Sequence, residues 1–121
     1  AMTAAATAAL VAASLTVAEA AALLGVDPSR VRQRLAAGSL YGLKRAGGWR
    51  LPRFQFADGR LVPGIERVLP HLDRALHPLT VVRWFGQPNP DLEIDDAPVS
   101  PRAWLLAGGD PAPVAALAAD L

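Results

Sequence analysis

The chain has 121 residues, with 12 Lys+Arg, 11 Asp+Glu and no Cys. This length suits one domain or two very small lobes. The missing thiols exclude disulfides, thiolate metal sites and a cysteine nucleophile, and two histidines (His71 and His77) are too few for a multi-histidine metal cage. No apolar run reaches the roughly 20 residues of a membrane span. The Ala-rich stretch 1–14 lacks the positive flank of a secretory signal, and Ala1 ahead of Met2 reads as a cloning remnant. Composition therefore predicts a soluble, cytoplasmic protein.

The formal net charge of +1 hides an asymmetry. Residues 30–60 carry Arg30, Arg32, Arg34, Lys44, Arg45, Arg50, Arg53 and Arg60 against Asp58 alone, a net charge of +7. Residues 85–121 carry Asp91, Glu93, Asp95, Asp96, Asp110 and Asp120 against Arg102, a net charge of −5. A basic segment followed by an acidic one implies two tasks. The first suits a polyanion, and the second would be repelled by it.

In chain order, Thr16-Val17-Ala18-Glu19 is a capping box, with hydroxyl and carboxylate each serving the other residue's backbone N–H. Val17, Ala20, Ala21 and Leu24 follow at helical spacing. Gly25 supplies the left-handed stop. Asp27 caps a second helix with Pro28 at its first position, and Gly38 ends it. Two short helices around Gly25-Val26-Asp27 make a helix-turn-helix pattern. Val31 and Leu35 face inward. Arg30 and Arg34 share an outer face, with Arg32 and Gln33 beside it. Arg and Gln are the side chains that read guanine and adenine edges or clamp phosphates, although a solvated cationic face would carry the same residues. Strands are predicted over Leu40–Arg45 and Trp49–Leu51 around Ala46-Gly47-Gly48. There Lys44, Arg45 and Arg50 would lie on a sugar-phosphate backbone, unless the hairpin merely closes the core with Trp49 as its plug.

The stretch 15–52 resembles the excisionase/MerR-type winged helix-turn-helix. The matching residues are Leu15 to Ala21, Leu24-Gly25-Val26, Val31-Arg32, Leu35, Gly38-Ser39-Leu40 and Gly48 to Pro52. The resemblance implies DNA binding through the second helix and the wing.

Beyond it, Arg53-Phe54-Gln55-Phe56 alternates polar and aromatic residues, and Ala57-Asp58-Gly59 before Arg60-Leu61-Val62 signals a hairpin. Ile65, Val68, Leu69, Leu72 and Leu76 form an amphipathic helical stripe that Pro70 should kink or split. Pro78 opens a helix through Phe85. Pro88-Asn89-Pro90 is predicted to be irregular, because the residue before each proline is forced extended. The acidic run from Asp91 to Asp96 reads as a solvated loop, since it lacks the glycine and closing glutamate of a calcium loop. Ser100-Pro101 and Asp110-Pro111 are two further caps, with Gly108-Gly109 between them.

The stretch 53–121 resembles the toxin-binding domain of the Xre/MbcA/ParS antitoxin family. The resemblance rests on Pro52 to Phe56, Gly59-Arg60, Val62 to Ile65, Val68-Leu69, Pro78, Trp84-Phe85, Pro88 to Leu92, Pro101, Trp104-Leu105 and Gly108 to Pro111. Glu93 to Ala97 stands where that family has a glycine turn. The resemblance implies a type II antitoxin that covers the active-site cleft of a NAD-consuming RES-domain toxin and binds its own operator. It places the cover in the segment from Ser100 to Leu121, where Trp104, Leu105, Asp110, Val114, Leu117, Asp120 and Leu121 are the candidate toxin contacts, although Trp104 and Leu105 would equally serve as core of the small lobe. On that reading, removing 111–121 should abolish neutralisation and spare DNA binding.

The expected architecture is mainly α with a small β-hairpin wing, an α+β chain in three parts: an Ala-rich segment (1–14), a winged helix-turn-helix (15–52) and a small helical lobe (53–121). No constellation supports an enzyme, a metal site or a cofactor. Expected partners are operator DNA and the toxin, with a homodimer or a hetero-oligomer with toxin presenting two half-sites. The alternative is a winged-helix regulator or excisionase-like protein with no toxin partner.

Overall fold

The computed structural model describes residues 4–121, and the cloning remnant read at Ala1 lies outside them, as does the start of the segment 1–14. The described chain is α+β, with six α-helices and seven short strands paired in antiparallel sheets. Helix α1 (Ala4–Ala13) ends at Ser14, whose hydroxyl donates to the Leu10 carbonyl at 2.8 Å. Strand β1 (Leu15–Thr16) follows.

The helix-turn-helix forms where the caps place it. At the start of α2 (Val17–Leu24), the Thr16 N–H donates to Glu19 Oε1 at 2.9 Å and the Glu19 N–H donates to Thr16 Oγ1 at 3.1 Å. Gly25 takes φ +67 and frees the chain to turn. Asp27 Oδ1 then accepts from the Ser29 N–H at 2.9 Å, capping α3 (Pro28–Ala37). Ala20, Ala21, Val31 and Leu35 close a core with Leu15, Leu40, Leu51 and Phe56.

The wing has three strands, not two. Strands β2 (Leu43–Arg45) and β3 (Gly48–Leu51) form the expected hairpin, and β1 adds to β3 in the order β1-β3-β2. The predicted strand from Leu40 starts only at Leu43, because other groups take the connector's backbone. The Ser39 and Leu40 N–H groups both donate to the Arg34 carbonyl, at 3.0 and 3.2 Å. Tyr41 is clasped by the Gln55 side chain: its N–H donates to Oε1 at 2.9 Å, and Nε2 donates to its carbonyl at 2.8 Å. Gln55 is fully buried and also donates to the Pro52 carbonyl at 3.0 Å. It sits in a 3-10 turn (Arg53–Gln55) rather than in the polar-aromatic strand its neighbours suggest.

The second lobe is less helical than expected. Strands β4 (Phe56–Ala57) and β5 (Arg60–Leu61) form the predicted hairpin, with Asp58 and Gly59 at φ 52 and 74. The helix predicted from Ile65 is replaced by two 3-10 turns, Ile65–Arg67 and Leu69–His71. Pro70 supplies no N–H, so the split is complete, yet Ile65, Val68, Leu69 and Leu72 remain buried. Helix α4 (Pro78–Gly86) begins at a histidine cap, with His77 Nδ1 accepting from the Leu79 N–H at 3.1 Å. Strands β6 (Asn89–Ile94) and β7 (Ala97–Val99) then pair. This hairpin corrects two expectations. Extended pre-proline backbone is strand-compatible, so Asn89 pairs with Val99 and a register shift carries the ladder past Pro90. The acidic run is a hairpin, turning at Asp95 and Asp96 with φ 53 and 63, as a two-residue primed turn requires. Helices α5 (Pro101–Leu106) and α6 (Pro111–Ala119) close the lobe on the Ser100 and Asp110 caps.

Two cores result, and residues on either side of position 52 cross between them. Phe56 is buried in the first core, Tyr41 packs on the second and Leu61 touches both. Arg102 of α5 donates to the Phe54 and Phe56 carbonyls, both at 2.8 Å. Phe54 stacks on Phe85 with ring centroids 4.6 Å apart.

Candidate nucleic-acid interface

Helix α3 divides by face. Val31 and Leu35 point inward at 0% and 5% exposure. Arg30, Arg32 and Gln33 are exposed, and Arg34 is half-buried. The wing adds Lys44 and Arg45 on exposed β2. Lys44 stands opposite Trp49 across the hairpin, with its Nζ 5.7 Å from the indole centroid. Trp49 packs on the first core as expected, next to Leu35 and Gly42. A Cβ on Gly42 would lie 2.7 Å from Leu35 Cδ2 and 3.1 Å from the indole, so this position has no room for a side chain.

Arg50 differs from the other cations. It is half-buried on β3, its Nη1 donates to the carbonyl of neighbouring Trp49 at 3.0 Å, and its guanidinium lies against the Gly47-Gly48 turn. That geometry braces the turn and leaves Arg50 less free than Lys44 or Arg45 to reach a ligand.

Two carboxylates fix the helix starts and are held in their charged form. Hydrogen bonds within the capping box push the Glu19 carboxyl below its usual range, with smaller help from Arg53 and Arg50. The Ser29 bonds do the same for Asp27, aided by Arg32. Both act at helix starts, Glu19 on α2 and Asp27 on α3.

The contacts predicted on the second lobe separate by burial. Leu105 and Val114 are fully buried in the second core, so they hold α5 and α6 in place and present nothing to a partner. This takes Val114 out of the candidate toxin contacts and leaves Leu105 on its core reading. Trp104 is half-buried; its Nε1 donates to the Asp110 carbonyl at 2.9 Å and its indole lies directly over Gly109. Asp110 caps α6, with Oδ1 accepting from the Ala112 N–H at 2.9 Å. Leu117 is half-buried against the second core. Asp120 and Leu121 are exposed. Leu106 is exposed at 42% and is absent from the sequence reading. Its signal was the Leu105-Leu106 pair: neighbours on a helix point about 100° apart, so one of the two leaves the core. Because α6 contributes Val114, Ala115 and Ala118 to the core, removing 111–121 would open the lobe. Truncation therefore does not isolate a contact.

Among the described residues, no group of three His, Cys, Asp or Glu is placed to hold a metal ion, and no helix is long and apolar enough to cross a membrane.

The architecture is that of a winged helix-turn-helix protein carrying a second α+β lobe, with exposed cations on α3 and the adjoining strand as well as on the second lobe (Arg60, Arg67, Arg74 and Arg83). No protein-family profile matches the sequence. The chain is similar to the DNA-binding protein Rv2175c of Mycobacterium tuberculosis, 37% identical over 76 residues that make up 61% of this chain and 52% of that protein. It thus spans about half the length of that curated relative. The NMR structure of Rv2175c matches with a TM-score of 0.62 and 28% identity, covering 88% of this chain and 79% of that one.

Proposed function

We propose that the protein binds double-stranded DNA, with α3 in the major groove and the β2–β3 wing on the adjacent backbone. The observation that carries this reading is the exposure of Arg30, Arg32, Gln33, Lys44 and Arg45 together on α3 and the neighbouring strand of a winged helix-turn-helix. On this reading Arg30, Arg32 and Gln33 reach base edges or phosphates, Arg34 reaches only from its rim, and Lys44 and Arg45 hold phosphates while Arg50 stiffens the turn. The similarity to a protein named as DNA-binding supports it. One helix of this size reads one half-site, so tight binding calls for two copies or a second bound protein. Fluorescence anisotropy with duplex DNA tests the reading. Arg30→Ala/Arg32→Ala should weaken binding at least tenfold with the fold intact, and unchanged affinity would overturn it.

A second reading is neutralisation of a RES-domain toxin by the C-terminal lobe, with operator binding as autoregulation. One structural observation favours it. Leu106 and Leu121 are the large hydrophobic residues left exposed among those described, and both lie on the acidic C-terminal lobe. On this reading they form the apolar anchor, with Trp104, Leu117, Asp110 and Asp120 at its rim. The lobe by itself does not favour a toxin, since the match to the Rv2175c structure covers 88% of the chain. Affinity capture from native extract through a high-salt wash separates the readings, because salt strips phosphate-driven contacts. A stoichiometric RES-like protein, lost on Leu106→Glu/Leu121→Glu, supports the antitoxin. Recovery of the chain alone leaves the plain DNA-binding protein.

A further inference from the structure

Between the wing and the second lobe lies a cleft of about 560 Å³, within the size range of small-molecule sites. Leucines from both sides line it, Leu35, Leu40 and Leu43 from the first lobe and Leu69, Leu72 and Leu76 from the second. Tyr41 and Trp49 add aromatic surface. Lys44 and Arg45 stand on the wing lip, and Asp73, Arg74 and His77 on the other.

The second lip is already organised. Asp73 Oδ1 accepts from the Ala75 N–H at 2.8 Å, and His77 Nδ1 is occupied by the cap of α4. Arg74 Nη2 donates to the Ala36 carbonyl at 3.2 Å, in the last turn of α3. Three cations, Lys44, Arg45 and Arg74, and one carboxylate thus line a half-open cleft in which polar surface alternates with leucine and aromatic side chains. Such a site matches a ligand with an apolar body and an anionic head. Two of the three cations are also the wing's phosphate contacts in the DNA reading.

We propose that this cleft binds a small amphipathic organic anion, such as an aromatic carboxylate, and that occupancy weakens DNA binding by engaging Lys44 and Arg45. The body packs against Trp49, Leu72 and Leu76, and the carboxylate lies between the wing cations and Arg74. The second half of the proposal rests on the DNA reading; the binding site itself does not.

The test is a ¹H–¹⁵N NMR titration of the full chain with 2-naphthoate, with uncharged 2-naphthalenemethanol as the matched probe. Saturable one-to-one binding is expected, shifting the Trp49 indole, Tyr41 and Arg74 signals, with the alcohol at least tenfold weaker. Lys44→Ala/Arg45→Ala lies on an exposed strand and should lose at least tenfold in naphthoate affinity. Leu76→Trp fills the cavity and should block binding, while the spectrum reports that the fold is kept and anisotropy that DNA affinity is unchanged. Naphthoate should release duplex DNA from the wild type and not from Leu76→Trp. Equal binding of acid and alcohol, shifts outside the cleft, or no saturable binding overturns the site. Naphthoate binding with DNA affinity unaltered overturns the antagonism. Naphthoate binding by a chain that binds no DNA supports the site and overturns the DNA reading instead.

Discussion

Charge neutralisation on the wing gives a quantitative handle on the DNA reading. Arg30, Arg32, Lys44 and Arg45 are exposed, whereas Arg34 is half-buried and Arg50 is held against its turn. Four free cations neutralise at most four phosphates per protomer. Counterion release then gives a log–log salt slope of about −3.6, since each phosphate contributes about −0.9. Raising salt from about 50 to 200 mM should cut wild-type affinity by about 150-fold. Lys44→Ala/Arg45→Ala removes two contacts, so its slope should fall to about −1.8 and its loss over the same range to about 12-fold. The variant forfeits only a cation 5.7 Å from the exposed side of Trp49, worth about 0.5–1 kcal/mol at such a site, so it should fold normally. The assay is anisotropy with a labelled 20-base-pair duplex across that salt range, with circular dichroism to confirm the fold. If two protomers bind together, both slopes double and their ratio holds. A double variant that keeps the wild-type slope and affinity would refute the placement of the wing on phosphate.

Gln55→Leu should destabilise the fold by about 3 kcal/mol, because it strands the Tyr41 N–H and carbonyl and the Pro52 carbonyl that the buried amide serves; urea unfolding should show a lower midpoint at unchanged slope. Arg102→Leu removes two hydrogen bonds from a charged donor to the Phe54 and Phe56 carbonyls and should cost about 2 kcal/mol. Chain cleavage near residue 53 under limited proteolysis should speed up with it. For acid stability, both helix-capping carboxyls titrate lower in the folded protein than in the unfolded chain, so folding favours their charged forms. That contribution is complete above the unfolded values of 4.5 and 3.8 and is lost as pH falls through the lower folded ones. Melting temperature should drop across this window, and Glu19→Gln should flatten the drop.

The first half of the fold was legible because its signals are local. Thr16, Glu19, Gly25, Asp27, Pro28 and Gly38 each act on backbone within a few residues, and each does so in the structure. The misses depend on partners distant in sequence. Nothing near Leu40 reveals that Gln55 will take the hydrogen bonds of Tyr41 and delay the strand, or that Leu15 and Thr16 will pair with Leu51 and Arg50. The stripe from Ile65 to Leu72 identified buried residues correctly, but it has the same spacing whether the backbone is one helix or two 3-10 turns split by Pro70. Asp95-Asp96 carries no glycine, so its hairpin turn was hidden behind its charge. In the candidate interface, residue type and helical face located the cations of α3. Sequence alone did not separate the free Lys44 and Arg45 from the tethered Arg50, nor the buried Leu105 from the exposed Leu106.

The strand order β1-β3-β2 leaves β2 with one unpaired side. An open edge invites another copy's strand to add to it, the first step towards sheet-to-sheet aggregation. Consecutive Lys44 and Arg45 on that three-residue strand oppose such growth, because a second wing brought alongside would set like charges against one another. Phosphate or any other anion that masks them removes this guard. The protein should therefore be most prone to self-association when its wing charges are neutralised without being covered, for instance by small polyanions in excess.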